Sequence, residues 1–477
     1  MKTLERLFTE YTGQALQSAR LLTAAGSNRS YYRMTGADGR QVIGVAGTSA
    51  DENRAFLTIG RHLYSQDIAV PEILAVSDCG MYYLQQDLGD TSLFSLLDGA
   101  RQGDTFDDGV MSLLEQTVSA LPDLQFKGGE GLDFSVCFPC QSFDRRSILW
   151  DLNYFKYCFL KGSGLEFHEA MLEDDFERLA DMLLADSPYS TFMFRDFQAR
   201  NVMIHNNMPW FIDFQGGRRG PVEYDLVSFL WQARAAYSDS VKSRLTDVFL
   251  ESLARYRKVD RGSFLERMRL FAVMRTLQVL GAYGYRGYFE RKAHFLQSVP
   301  AAMNNLRGLT DVLSGTCPYL CSLLTELAAL PQFNRPMPVE DGRLTIRITS
   351  FSYRKGIPDD LSGNGGGFVF DCRSMHNPGL YDQYKQLNGT DRPVMDFLET
   401  EGEVQKYLDN VYGLVEPAVD KYLKRGFTSL MVSFGCTGGH HRSVYCASHL
   451  AEHLHEKYGE RVHILLEHRE HNIHREL

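Results

Sequence analysis

The 477-residue chain sets 60 acidic against 50 basic side chains, a formal net charge of −10, and is 44% hydrophobic. Hydrophobic cores stop growing at about 250 to 300 residues, so this length implies more than one domain. The acidic balance excludes a protein drawn as a whole to nucleic acid or to an anionic membrane, which leaves RNA only a local contact. Nine scattered cysteines exclude a disulfide scaffold.

The opening MKTLERLFTEYTG interrupts any apolar leader with Glu5 and Glu10, reads as an amphipathic helix, and places the protein in the cytoplasm. Residues 28 to 90 alternate short β-type runs (Tyr31 to Met34, Gln41 to Val45, Met81 to Gln85) with turn residues, plus a helix from about Asp51 to Ser65. From about 145 to 330 the apolar spacing is helical, interrupted by a β-rich island from Phe192 to Phe214. The apolar stretch Leu270 to Tyr288 is broken by Arg275 and Arg286, which makes it a buried helix and not a membrane span. Cys137-x-x-Cys140 and Cys317-x-x-x-Cys321 lack histidines at ligand spacing and read as loop and core cysteines, not as a zinc site.

Residues 1–330 form a first domain, with a small lobe to about residue 90 and a helical lobe beyond. The proline-rich stretch Pro331 to Pro338 lies in a linker, 331–342. The second domain, 343–477, runs strand (Leu344 to Phe351), Gly-rich loop (Gly363 to Gly367), strand (Phe368 to Cys372), helices (Val394 to Leu398 and Glu403 to Arg425), strand (Ser429 to Phe434), Gly-rich turn, helix (Arg442 to Tyr458) and strand (Val462 to Leu466). Strands alternating with helices predict a parallel or mixed α/β sheet.

The most informative segment is Phe194-Arg195-Asp196-Phe197-Gln198-Ala199-Arg200-Asn201, followed by Ile212-Asp213-Phe214-Gln215. Phosphoryl transfer needs one carboxylate to orient and deprotonate an acceptor hydroxyl, with an amide oxygen and a second carboxylate to hold magnesium against a triphosphate. Asp196, Asn201 five residues on and Asp213 twelve further supply all three, with ATP and Mg²⁺ as the implied cofactors. The turn Gly26 to Ser30, with Asn28, Arg29 and Ser30, could lay backbone amides over the phosphates. Asp87 and Asp90 read as hinge and cap residues, and the segment Phe143 to Phe155 as the place for acceptor specificity or for helix packing.

These segments, with Ser30-Tyr31-Tyr32-Arg33, Gln86-Asp87-Leu88-Gly89-Asp90 and Gly220 to Ser228, resemble the aminoglycoside phosphotransferase/choline kinase family. Within it they resemble most the anomeric N-acetylmuramate/N-acetylglucosamine kinases of peptidoglycan recycling. The resemblance implies a protein-kinase-like bilobal fold, a sugar substrate, Asp196 as base, Asn201 and Asp213 as magnesium ligands, and Asp225 as a buried support for the catalytic loop. Two departures stand out: Phe194 replaces the family's usual histidine, and the strand Gln41 to Val45 lacks the lysine that most kinases bring to the phosphates. A non-catalytic regulatory protein, a pseudokinase joined to a sensor, is the alternative.

In the second half, Val432-Ser433-Phe434-Gly435-Cys436-Thr437-Gly438-Gly439-His440-His441-Arg442-Ser443 is a strand, a Gly-rich turn and a helix start. Backbone amides, the helix dipole and Arg442 gripping bidentately would suit a phosphate. The six-residue step from Cys436 to Arg442 also fits a cysteine phosphatase. Together with Ile348 to Phe351, Lys355 to Pro358, Phe370 to Arg373, Asn377-Pro378 and Leu387 to Gly389, the segment resembles the C-terminal domain of the RNase adapter RapZ. That resemblance implies a sensor of amino-sugar phosphate, such as glucosamine-6-phosphate, with His376, Cys436, Thr437, Gly438, Gly439, His441, Arg442 and Ser443 lining the pocket. That family's Walker-A half is missing, since no G-x-x-x-x-G-K-[ST] occurs. From Arg343 onward, 16 Lys and Arg face 18 Asp and Glu, which argues against RNA binding at neutral pH. His468, His471 and His474 sit on what reads as a wet helical face.

Overall fold

Leu4, Leu7 and Phe8 share one face of the opening helix α1 (Lys2–Thr12) and bury it with Met34, Val42 and Leu84 of a five-stranded sheet. The computed structural model describes residues 1–22, 29–290, 292–333, 342–358, 360, 366–400 and 402–477, without the side chains of 293 and 294. These fall into two units, residues 1–285 with 298–335, and 286–297 with 336–477.

In the first unit, β1 (Leu16–Leu22), β2 (Ser30–Gly36), β3 (Gln41–Ala46), α2 (Ala50–Ser65), β4 (Ile73–Val76) and β5 (Tyr82–Gln86) build the sheet lobe, in the order β1-β2-β3-β5-β4 with every pair antiparallel. Ser49 caps α2, its Oγ accepting from the Glu52 amide at 3.4 Å, and the helix buries Ala55, Phe56, Ile59 and Leu63. Arg33 of β2 donates to both carboxylate oxygens of Asp87 and of Asp90, and Asp87 also accepts from the Gly89 amide at 2.9 Å. The two aspartates therefore fasten the segment after β5 to the sheet.

The helical lobe follows with α3 (Leu93–Ala100), the hairpin β6 (Arg101–Gln102) and β7 (Thr105–Phe106), α4 (Asp108–Phe126), α5 (Arg145–Phe155) and α6 (Glu169–Leu183). Two antiparallel ribbons interrupt it: β8 (Thr191–Met193) pairs with β11 (Arg218–Gly220), and between them β9 (Val202–His205) pairs with β10 (Met208–Phe211). Next come α7 (Val222–Leu230), α8 (Asp239–Leu253), α9 (Arg261–Gly284), α10 (Ala293–Leu296), which falls in the second unit, α11 (Val299–Arg307) and α12 (Pro318–Ala329). Among the described residues no helix is long and apolar enough to cross a membrane.

The second unit holds β12 (Leu344–Ser352), β13 (Phe368–Asp371), α13 (Arg392–Thr400), α14 (Glu403–Arg425), β14 (Ser429–Cys436), α15 (Arg442–Tyr458), β15 (Val462–His468) and β16 (Ile473–Glu476). The sheet order is β13-β14-β12-β15-β16, four parallel strands with β16 antiparallel at the edge. Ile346, Ile348, Val432, Phe434 and Ile464 pack against Val411, Val415, Ala447 and Leu450 of the helices in one core. The mixed α/β architecture agrees with the sequence.

Three strands depart from it. In β1 and β16 the side chains are mostly exposed, so neither carries the apolar alternation that marks a strand; the four residues of β4 are half-buried throughout. The tail is accordingly a polar edge strand and not a helical face, and a charged edge resists pairing with another chain. Residues 363–365 of the Gly-rich loop and most of the linker at 331–342 lie outside the described residues.

Candidate active site

Asp225 of α7 has no exposed surface. Its carboxylate accepts from the Phe194 and Arg195 amides at 2.8 Å each and from Gln125 Nε2 at 3.2 Å. Burial pushes its carboxyl up to about 6, against the pull of those three donors. The Ser228 hydroxyl adds a bond to the Arg195 carbonyl at 3.3 Å. These contacts hold Arg195 at φ +76°, a conformation that costs a non-glycine residue about 1 to 3 kcal/mol. Phe194, where a histidine was expected from the resemblance, sits edge-on against Phe197 and Phe214, so aromatic packing anchors the start of the loop.

The next residue, Asp196, keeps 43% of its side chain exposed, and its Oδ1 accepts from Arg275 Nη2 at 2.8 Å. Burial alone would raise its carboxyl, but Arg275, Arg195 and Arg200 outweigh it and hold the group well below the usual carboxylate range. Asn201 Nδ2 donates to the Asp196 carbonyl at 2.8 Å and lies 3.4 Å from Asp213 Oδ2. Asp213, at φ +73°, accepts from Gln215 Nε2 at 2.8 Å. Burial pushes its carboxyl up and Asp196 adds to the shift, while Gln215, Arg200 and Arg29 oppose it. The three residues read from the sequence therefore meet at one place.

On the sheet side, Arg29 is buried, pairs with Glu52 Oε1 of α2 at 3.2 Å and lies over the Phe56 ring at 5.2 Å. Phe56 in turn stacks on Phe214, with centroids 4.8 Å apart. A cation thus stands beside Glu52 and within electrostatic reach of Asp213, although β3 offers no lysine. Ser30 is tied into the sheet opposite Ala46, and Asn28 lies outside the described residues.

Arg275 was not read from the sequence as part of the site. It comes from α9, 79 residues beyond Asp196, and its one sequence signal is a charge inside an otherwise apolar run. Asp151 of α5 was missed likewise; it pairs with Arg195 at 3.4 Å, while Ile148, Leu152 and Phe155 bury the same helix. A pocket beside the catalytic loop is lined instead by residues such as Gln198, Trp231 and Tyr283, and none from the segment 143–155.

In the second unit the four parallel strands end at one edge of the sheet, where ligands of open α/β sheets bind. Cys436 closes β14 at 3% exposure, with its sulfur 3.1 Å from the Ser443 hydroxyl and accepting from the Gly439 amide at 3.2 Å. Gly439 has φ +72°, and a Cβ there would stand 2.9 Å from the Ser352 nitrogen, so the loop requires glycine.

Arg442 corrects the reading of a bidentate phosphate grip. It is 4% exposed, and its Nη1 donates to the Arg373 and Met375 carbonyls at 3.1 and 2.8 Å. The cause is that buried carbonyls past a strand end need donors. His441 Nε2 donates to the Tyr384 carbonyl at 2.9 Å, and burial lowers its pKa. Ser443 is fully buried, whereas Thr437 is exposed and Gly438 and His376 are partly so, with His376 Nε2 3.2 Å from the Tyr381 hydroxyl.

Around the open side lie residues the motif did not single out as ligands: Lys355, paired with the buried Glu470 at 2.6 Å, and His440, 3.2 Å from His471. His468 instead is 1% exposed between the Ser350 and Ser448 hydroxyls. Among the described residues no three His, Cys, Asp or Glu side chains gather as a metal site, and Cys140 accepts from Arg218.

Residues 344–472 match the family described as the RapZ C-terminal domain, and residues 140–259 match the phosphotransferase enzyme family. The chain therefore joins a phosphotransferase-family segment to a RapZ-type C-terminal domain. Similar curated proteins are each named a nucleotide-binding protein. One from Xanthomonas oryzae pv. oryzae is 28% identical over 229 residues, 47% of this chain and 78% of its own. One from Dechloromonas aromatica is 33% identical over 36% and 59%, and one from Thermosipho melanesiensis 37% identical over 27% and 43%. The chain thus spans less than two thirds of the last two. Among solved structures, the ADP-bound aminoglycoside phosphotransferase APH(2'')-Ib is 13% identical with a TM-score of 0.44, over 66% of this chain and 98% of its own. A choline/ethanolamine kinase family protein from Mesorhizobium loti is also 13% identical, with a TM-score of 0.43 over 68% and 98%.

Proposed function

We propose that the first unit transfers the γ-phosphoryl group of ATP to a sugar hydroxyl, the anomeric one of N-acetylmuramate or N-acetylglucosamine. The observation that carries this reading is the convergence of Asp196, Asn201 and Asp213 on a loop that Asp225 fastens from below. Asp196, ionised at neutral pH because three arginines surround it, orients the acceptor hydroxyl and takes its proton as the O–P bond forms. Arg275 fixes which way that carboxylate faces.

Asn201 directs its Nδ2 to the Asp196 carbonyl and towards Asp213, which leaves its amide oxygen without a donor among the described residues; that oxygen and the Asp213 carboxylate are the all-oxygen donors that would suit magnesium. When bound, the ion would neutralise charge on the triphosphate. Arg29 takes the part of the absent β3 lysine as the buried sheet-side cation, held by Glu52 and the Phe56 ring and acting electrostatically towards Asp213.

The test is to incubate the full chain with radiolabelled ATP, magnesium and a panel of amino sugars. Asp196→Ala should abolish labelling while nucleotide binding persists. Labelling by that variant would overturn Asp196 as the base, and none by the wild type would overturn the kinase assignment and favour a regulatory pseudokinase. For the second unit we propose that the loop at Thr437 and Gly438 binds an amino-sugar phosphate, with glucosamine-6-phosphate as the probe. Calorimetry should give heats that vanish when a proline at 438 removes an amide donor; equal binding by both proteins would refute it.

A further inference from the structure

The pocket beside the catalytic loop is cationic. Arg200 from the loop, Arg234 from the segment after α7 and Arg275 from α9 all line it, and its lining includes no aspartate or glutamate. Arg275 is committed to Asp196 and to Gln278, at 2.8 and 2.6 Å. Arg200 and Arg234 are different. Both are exposed, and among the described residues neither has a carboxylate within ion-pair distance; Arg234 lies over the Phe94 ring at 5.6 Å. All three line the same pocket, together with Tyr283.

Guanidinium groups gathered in a pocket whose lining holds no carboxylate repel one another, and an anion between them relieves that repulsion. Arg275 touches Asp196 and also lines the pocket, so a single side chain joins the pocket to the carboxylate that faces the acceptor hydroxyl. Trp231 and Asn305 also line the pocket; Asn305 Nδ2 is committed to the Trp231 carbonyl at 2.9 Å, which leaves its amide oxygen and the indole to meet a pyranose.

Resting on the kinase reading above, we infer that the acceptor is a sugar bearing an anionic substituent, carboxylate or phosphate, and that Arg200 and Arg234 hold that substituent. They are specificity residues, distinct from the group that takes the proton. A neutral sugar would leave both cations without an ion-pair partner in the pocket.

The test compares three acceptors on the full chain: N-acetylglucosamine as the neutral sugar, N-acetylmuramate for carboxylate and N-acetylglucosamine-6-phosphate for phosphate. In the wild type, kcat/KM should favour one of the anionic sugars over the neutral one by about tenfold or more, the worth of a charge-assisted hydrogen bond. Arg200→Gln and Arg234→Gln should each shrink that ratio by about tenfold, mainly through KM. A neutral preference in the wild type, or a ratio unmoved in both variants, would overturn the inference. Calorimetry with Asp196→Asn supplies a readout without turnover. Tight binding of the anionic sugar that Arg234→Gln abolishes, joined to an inert wild type, would leave the pocket standing and remove the kinase reading; equal binding of all three sugars would remove the pocket.

Discussion

Two loops of this molecule look alike in sequence, each a strand end, a turn rich in polar residues and a nearby arginine, and the fold uses them in opposite ways. In the first unit the chain buries the supports, Asp225 and Arg275, and leaves Asp196 partly open above them. In the second it buries the motif itself: Cys436 and Ser443 meet each other, His441 and Arg442 Nη1 turn to backbone carbonyls, and the exposed surface belongs to Thr437 and His440. A reactive side chain in a motif is thus a chemical group only where other residues carry the structural burden.

The widest test of that contrast is Asp196→Asn. If the carboxylate is the acting group, kcat should fall by about 100- to 10,000-fold, with the fold retained because the asparagine oxygen can still accept from Arg275. In the second unit the balance should invert. Arg442→Leu strips the donor from the buried Met375 carbonyl and from the part-buried Arg373 carbonyl and should destabilise that unit by about 2 to 3 kcal/mol, read by hydrogen exchange of peptides from α15 and β14 in the full chain. Ligand affinity lost without any change in exchange would instead make Arg442 a direct ligand.

Much of this was legible. The spacing of Asp196, Asn201 and Asp213 locates the first site because their chemistry needs residues close in sequence, on one hairpin and its flanks. Helices α14 and α15 and the parallel strands were read within a residue or two, since their buried faces impose a strict period. What escaped was what depends on distant pairing. Arg275 meets Asp196 only after α9 has folded across the loop, and the Arg29–Glu52 pair joins a turn to a helix 23 residues on. Arg442 was misread for a related reason: sequence shows a cation in a glycine-rich turn but not the carbonyls that claim it.

Acid sharpens the comparison, because the buried titrating group of each unit has the opposite sign. His468, neutral between two serine hydroxyls, has its pKa pushed down to about 4 by burial and by the charges of His471, Arg475 and His474. Unfolded, it would take a proton near 6.5, so stability from this group is complete above that pH and is lost as pH falls towards 4, by about 3 kcal/mol in all. His468→Gln should flatten the acid dependence of exchange in β12 and β15.

Asp225 runs the other way, and its effect is the smaller. Its folded pKa of about 6 lies above the unfolded carboxylate value, so the native state holds the proton more tightly. The first unit should therefore lose about 2 to 3 kcal/mol as pH rises from 4 to 6. The group stays ionised at neutral pH despite that loss because two backbone amides and Gln125 all donate to it. Asp225→Asn turns an amide donor towards those donors and should be less stable than the wild type throughout. The gap should narrow from pH 4 to pH 7, since only the wild type carries the titrating charge. A gap that widens over that range would mean that the carboxylate is stabilised by its donors more than it is penalised by burial. In that case the support beneath Asp196 would be electrostatic in origin, and not a geometric clamp held at the expense of stability.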